Sequence, residues 1–174
     1  MDILENTTLP ILFAPDPRLS IQARPVTPGD SARVAKLVPI MISTMCAARG
    51  IGLAAPQLGE LLRLAVIAAG EDGDSLVLVN PTVVWSSPET VARVEGCLSI
   101  PGLRAEVTRP ATVRVEFAHL DGGPGTLEAT GLIAACIQHE IDHLDGILFT
   151  ARISPLRRAM ALKKLAKDRK GRDR

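Results

Sequence analysis

Residues 132–144 read Leu-Ile-Ala-Ala-Cys-Ile-Gln-His-Glu-Ile-Asp-His-Leu. Leu132, Ile133, Ala135, Cys136, Ile137, Ile141 and Leu144 make the segment almost wholly apolar. It predicts a helix built into the core, starting at Thr130 or Gly131. Yet it contains His-Glu-x-x-His, and ionisable groups in a buried helix cost free energy unless something compensates them. In a helix His139 and His143 stand one turn apart on the same face, where both imidazoles can bind one metal ion. Glu140 then lies beside the ion, placed to take a proton from water. The plainer alternative is a pair of surface histidines on an amphipathic helix. The apolar flanks favour the metal.

A catalytic metal site takes three protein ligands and leaves one position open. In the metzincin pattern a third histidine lies six residues beyond His143, but that residue is Phe149. In thermolysin-like enzymes a downstream glutamate completes the site, but no Glu follows Glu140. The third ligand therefore lies upstream: His119, Cys46, Cys97, Cys136 or a carboxylate. Cys136 is seven residues from His143, roughly 10 Å along a helix axis, beyond the reach of a short thiol. It reads as a packed core thiol, and so does Cys46, near the end of a helical stretch. His119 follows an alternating run and precedes a Gly-rich turn, as a surface hairpin residue would. Cys97 differs. It lies in Glu95-Gly96-Cys97-Leu98-Ser99-Ile100-Pro101-Gly102, which reads as irregular chain able to bring a thiolate and exposed backbone N–H groups to a site.

These segments together carry a resemblance. Gly50-Ile51-Gly52-Leu53-Ala54-Ala55-Pro56-Gln57, Glu95-Gly96-Cys97-Leu98-Ser99 and Gln138-His139-Glu140-Ile141-Asp142-His143 occur in the order and spacing of the three motifs of the peptide deformylases, and Asp16-Pro17-Arg18-Leu19 is similar to that family's N-terminal segment. The likeness covers nearly the whole chain. It implies an α+β fold, with antiparallel β-sheets around a central metal-binding helix and a C-terminal helix, as in the shorter bacterial class. It implies Cys97, His139 and His143 as ligands of one divalent ion, Fe(II) in the cell, with Zn(II) a plausible occupant of purified protein. Glu140 becomes the proton carrier. The side-chain amide of Gln57 and the backbone N–H of Leu98 become donors to the oxyanion. Ile51, Gly52 and Gly96 become backbone contacts for the substrate. Leu132, Ala135, Cys136 and Arg104 would surround its first side chain. The implied reaction removes the formyl group from the formyl-methionine of new polypeptides and releases formate. Glu95 and Arg109 match family positions for a supporting ion pair. Two positions depart from the family pattern: Val94 and Arg49 stand where acidic residues often occur. The competing readings are a His-Glu-x-x-His metallopeptidase and a non-catalytic, metal-stabilised binding module.

A chain of 174 residues, 47% of them apolar, suits one domain over residues 1–174. Aromatic residues are scarce and Tyr is absent, so the core falls to Ala, Val, Leu and Ile. Three cysteines at unrelated spacings make no disulfide framework and suit a reducing compartment. With no signal pattern and no membrane-length apolar run, the expectation is a cytoplasmic protein.

Along the chain, residues 10–28 carry five prolines and read as an extended arm. Residues 31–48 have helical spacing, interrupted at Pro39, where a kink or break is expected. Leu62–Ala68 and Leu76–Val79 read as strands around a turn at 71–74, with another short strand at Thr82–Trp85. Thr112–Phe117 and Thr126–Ala129 flank a hairpin turn. Ser154-Pro155 caps a final helix that frays near Lys170. Residues 157–174 hold nine Lys/Arg and two Asp, and the remainder eleven Lys/Arg and seventeen Asp/Glu, so a basic tail sits on a mildly acidic body. Leu156, Met160, Leu162 and Leu165 would dock the tail, while Arg157, Arg158, Lys163, Lys164 and Lys167 face outward, toward ribosomal RNA as the resemblance implies.

Overall fold

The computed structural model describes residues 7–69 and 75–172, the side chains from 164 onward excepted. The turn expected at 71–74 lies outside the described residues. Among the described residues, seven strands form two antiparallel sheets. The larger has the order β1-β2-β3-β6-β7, built from Gly52–Ala54, Leu64–Ala68, Ser75–Ser86, Thr112–Ala118 and Pro124–Thr130. The smaller pairs β4 (Thr90–Cys97) with β5 (Ile100–Pro110).

Helix α1 (Ser31–Ala47) and helix α2 (Gly131–Leu144) belong to separate apolar clusters. Strand β2 serves both. Leu64 and Val66 join Val34, Leu37, Met41 and Met45 of α1, while Ile67, one position out of phase, joins Ala134, Cys136 and Ile137 of α2. Alternate residues of a strand point to opposite faces, so a continuous apolar run marks a strand covered on both sides. The fold is therefore the expected α+β arrangement, with α2 at its centre.

Several local expectations need correction. Pro39 does not break α1, which runs without interruption. Buried residues before it (Val34, Leu37, Val38) and after it (Met41, Met45) belong to one cluster, so packing outweighs the lost hydrogen bond. Cys46 is exposed, since it falls one residue past the buried stripe of α1. Thr82–Trp85 is the far end of the long β3, which passes Pro81 with a shift of register between Val79 and Thr82. Asn80 takes the left-handed conformation there (φ 52°), which Asn tolerates better than most residues, and its amide bonds both backbone groups of Val26.

The strand at 90–94 gave no signal because all five residues are exposed, leaving no alternation to read. Residues 95–102 are not irregular chain: Cys97 ends β4, Ile100 opens β5, and Leu98-Ser99 is the turn between them. The proline-rich arm is extended between two single 3₁₀ turns, Pro17–Ser20 and Pro28–Asp30. It is stitched to the body at Leu12 N–H to Gln57 O (2.7 Å) and Ala14 N–H to Ser99 O (2.9 Å).

The last helix, α3 (Pro155–Arg172), opens at Ser154, whose Oγ accepts from Arg157 N–H, and its described backbone is helical to Arg172, close to the end expected near Lys170. Its expected docking does not occur. Leu156 is 72% exposed, and Met160 and Leu162 are exposed as well; Ala161 is the buried residue. At about 100° per residue these side chains point away from Ala161 on different sides, so no single apolar stripe forms. Leu165 lies among the side chains outside the described residues.

Candidate metal centre and substrate groove

Thr130 caps α2 in extended conformation, and the apolar turns that follow carry His139, Glu140, Asp142 and His143 into the interior, where all four are buried. His139, Asp142 and His143 each find a different compensation. His139 Nδ1 lies 2.9 Å from Glu95 Oε2, which leaves Nε2 free to face inward. Arg109 donates to both Glu95 oxygens (2.5 and 3.0 Å) and to Asp142 (2.8 Å), so the expected Glu95–Arg109 pair is one part of a larger network. Arg152 closes it on Asp142 from outside. His143 Nε2 sits 3.1 Å from Cys97 Sγ.

The ligand atoms of Cys97, His139 and His143 all lie within 4.8 Å of one another, and among the described residues they are the one such cluster able to hold a metal ion. A tetrahedral site with sulfur and nitrogen ligands needs separations of roughly 3.5 Å, so the set fits an ion. Electrostatics agree. Burial disfavours a proton on His139, but hydrogen bonds with Cys97 and Glu95 outweigh it and hold its pKa at about 10. A proton and a metal ion compete for this imidazole, and an ion that binds His139 displaces the proton. Burial first, and then the charges of His139 and Arg109, push His143 well below its ordinary value, as a neutral imidazole ligand requires. Burial raises the Glu95 carboxyl, and hydrogen bonds from His139 and Arg109 more than reverse that, to about 2.

Glu140 is the exception to compensation. Its Oε2 is buried without a hydrogen-bond partner among the described residues. Burial pushes its pKa up to about 7, only partly offset by the charges of His139 and Arg109. A fully buried carboxylate with an unpaired oxygen is costly unless water, ion or substrate completes it. Gly52 explains how Glu140 fits at all. A Cβ at residue 52 would strike Glu140 Oε1 and stand 2.7 Å from Cys136 Sγ.

Gln57 is fixed from both ends. Its Oε1 accepts from Ala54 N–H (2.9 Å), which turns Nε2 toward Ser99 Oγ (3.1 Å) and Cys97 Sγ (3.7 Å). A groove of ≈ 640 Å³ opens above these groups. Ile51, Gly52, Gln57, Gly96, Cys97, Leu98, Arg104, Leu132, Ala135, Cys136, His139 and Glu140 all line it. The predicted residues thus converge from β1, the following 3₁₀ turn, the β4–β5 turn and α2, while His143 lies beneath the groove. Cys136 is not in the metal cluster; its Sγ donates to Ile51 O (3.4 Å). His119 lies exposed in the β6–β7 turn and Cys46 at the end of α1. The sequence reading missed Ser99, Asp142 and Arg152. An acidic residue in an otherwise apolar helix was a signal for Asp142; nothing local marks Arg152.

Fold and site together define a metal-dependent hydrolase, with a Cys-His-His cluster and a buried carboxylate at the floor of a groove. The family model for polypeptide deformylase matches residues 8–159. A peptide deformylase of Brucella suis biovar 1 is 47% identical over 161 residues, 91% of each chain. The crystal structure of a peptide deformylase from Legionella pneumophila superposes with TM-score 0.88 at 42% identity, covering 97% of this chain and 99% of that one. A Met-Ala-Ser-bound class I type b peptide deformylase from Acinetobacter baumannii superposes with TM-score 0.80 at 33% identity, covering 85% and 99%. The chain belongs to the polypeptide deformylase family, enzymes that remove N-formyl groups from polypeptides.

Proposed function

We propose that Cys97, His139 and His143 hold one divalent metal ion, and that Glu140 moves the protons of formyl-methionine hydrolysis. The observation that carries this is the buried Glu140 carboxylate beside the cluster, at the wall of the groove, with its Oε2 unpartnered among the described residues. When bound, the ion lowers the pKa of water at the site and polarises the formyl oxygen. Glu140 accepts the proton as the water oxygen bonds to the formyl carbon, then delivers it to the departing nitrogen as the C–N bond breaks. The products are formate and a free N-terminal amine. Gln57 Nε2 and the Leu98 N–H donate to the oxyanion, each worth about 3 kcal/mol of barrier. The Gln57 amide is already turned toward Cys97 and needs no reorganisation.

The groove accepts the peptide along Ile51, Gly52 and Gly96. Leu132, Ala135, Cys136 and Arg104 receive the methionine side chain, consistent with the binding of Met-Ala-Ser by the Acinetobacter enzyme. A thiolate among the ligands suits a softer ion than three histidines would, and Fe(II) is the proposed cellular metal, with Zn(II) able to replace it. Peroxide should then inactivate the iron form faster than the zinc form, because zinc has no accessible redox change. The metal and the free thiols suit a reducing cytoplasm. Among the described residues no helix is long and apolar enough to cross a membrane. The exposed basic helix α3 is proposed to meet ribosomal RNA.

The test is anaerobic incubation with formyl-Met-Ala-Ser and measurement of formate, beside an unformylated peptide assayed for internal cleavage. Formate from the first with no cleavage of the second is expected. The reverse would establish the metallopeptidase alternative, and neither product would leave the binding module.

A further inference from the structure

We propose that the rim of the groove selects substrates with acidic side chains downstream of the first residue. This inference rests on the deformylase reading of the site. Residues 1–156 contain eleven Lys/Arg, and seven of them are paired with carboxylates: Arg18, Arg24, Arg33, Arg63, Arg109, Arg114 and Arg152. Of the four others, Arg49, Arg93 and Arg104 all line the one groove. All three are exposed, and none has a carboxylate partner among the described residues. The acidic residues of the groove wall, Glu95 and Glu140, are buried and turned toward the metal cluster or Arg109, so they do not neutralise the rim.

Two further features sharpen the contrast. Arg93 reaches the start of α2, its Nη2 4.0 Å from where a Cβ of Gly131 would be. That first turn holds no acidic residue, so the positive end of the helix adds to the guanidinium instead of being countered by a carboxylate. The surrounding body is otherwise mildly acidic. A concentrated positive rim on such a body raises the local concentration of anionic ligands and disfavours cationic ones. Arginine suits this task because its fork can grip a carboxylate through two donors.

The experiment compares kcat/KM for the C-terminally amidated peptides formyl-Met-Asp-Asp, formyl-Met-Ala-Ser and formyl-Met-Lys-Lys on the metal-loaded, full-length enzyme. Amidation removes the terminal carboxylate, so only side-chain charge differs; a free-acid version of formyl-Met-Ala-Ser measures the terminal carboxylate separately. The acidic peptide should exceed the basic one by about tenfold at low salt. The gap should shrink as salt approaches 0.5 M, because exposed charges are screened. Arg93→Gln with Arg49→Asn should narrow the ratio, the neutral peptide serving as reference within each variant. Asn is chosen because residue 49 has φ 54°. Binding of the deformylated products Met-Asp-Asp-amide and Met-Lys-Lys-amide, measured by calorimetry, should follow the same order. Equal constants for acidic and basic peptides, or a preference that survives both salt and the substitutions, would overturn the proposal. Loss of formate from all three peptides would instead sink the deformylase reading, while the product-binding order would still report on the rim.

Discussion

Glu140 meets two opposing demands at the residue scale. It must be buried to sit beside the metal cluster, and burial opposes its charge, which is why its pKa rises to about 7. A group near neutrality can both accept and return a proton, which a solvated glutamate near pH 4 does poorly. Glu140→Gln keeps the shape and hydrogen-bonding capacity but loses the proton carrier. It should retain metal, since Glu140 lies outside the cluster, and lose about 10²–10⁴-fold in kcat. Metal content by emission spectrometry and formate release check both halves. A variant within about tenfold of wild type would remove Glu140 as the carrier.

At the scale of elements, the site depends on how closely β1 approaches α2. Gly52 lets the strand lie against Glu140 and Cys136, and any side chain there must push one of them aside. Gly52→Ala should displace Glu140 and cost about 10²-fold in kcat/KM, because ångström-scale misplacement near the chemistry is enough. The same loss should appear for every formylated peptide, unlike a change of the rim. The entry to α1 depends on another carboxylate. Asp30 accepts from Arg24, Thr27 N–H and Thr27 Oγ at 2.7–2.9 Å. Hydrogen bonds from Arg24 first and Thr27 next hold its pKa below the ordinary carboxylate value. A depressed folded-state pKa gives stability that is present above the unfolded value near about 4 and lost as pH falls toward the folded one. Asp30→Asn should therefore lower Tm at pH 7, and the gap from wild type should narrow as pH falls below about 4. A gap constant from pH 7 to pH 2.5, by calorimetry, would contradict this.

For the whole molecule, α3 is set apart from the catalytic body. It touches β5, and of its first side chains only Ala161 is buried. The body around the groove closes without it. Deleting residues 166–174 should leave turnover of formyl-Met-Ala-Ser within about twofold, the range of typical surface changes. The same deletion should weaken co-sedimentation with ribosomes at low salt, where released counterions favour phosphate contacts. Undiminished co-sedimentation would reject α3 as the contact.

Sequence determined whatever is local or repeats at a fixed spacing. The apolar run with His-Glu-x-x-His defines α2 and sets both histidines on one face by helical geometry alone. The runs at 112–117 and 126–129 define a hairpin, and Ser154-Pro155 marks the start of α3. Three separated motifs were enough to single out Cys97, His139 and His143, whose ligand atoms the fold brings within 4.8 Å of one another, because catalytic chemistry restricts residue types tightly. Tertiary structure decided what depends on partners distant in the chain. Pro39 sits in an unbroken helix because the core holds both halves. Strand β4 exists because β5 pairs with it, although its exposed residues carry no pattern of their own. Arg152 reaches Asp142, and Ser99 orients Gln57 across 42 residues, contacts that no local window contains. The unpaired arginines of the rim belong to the same class: pairing and exposure are properties of the folded surface, and a sequence counts charges without saying which of them remain free.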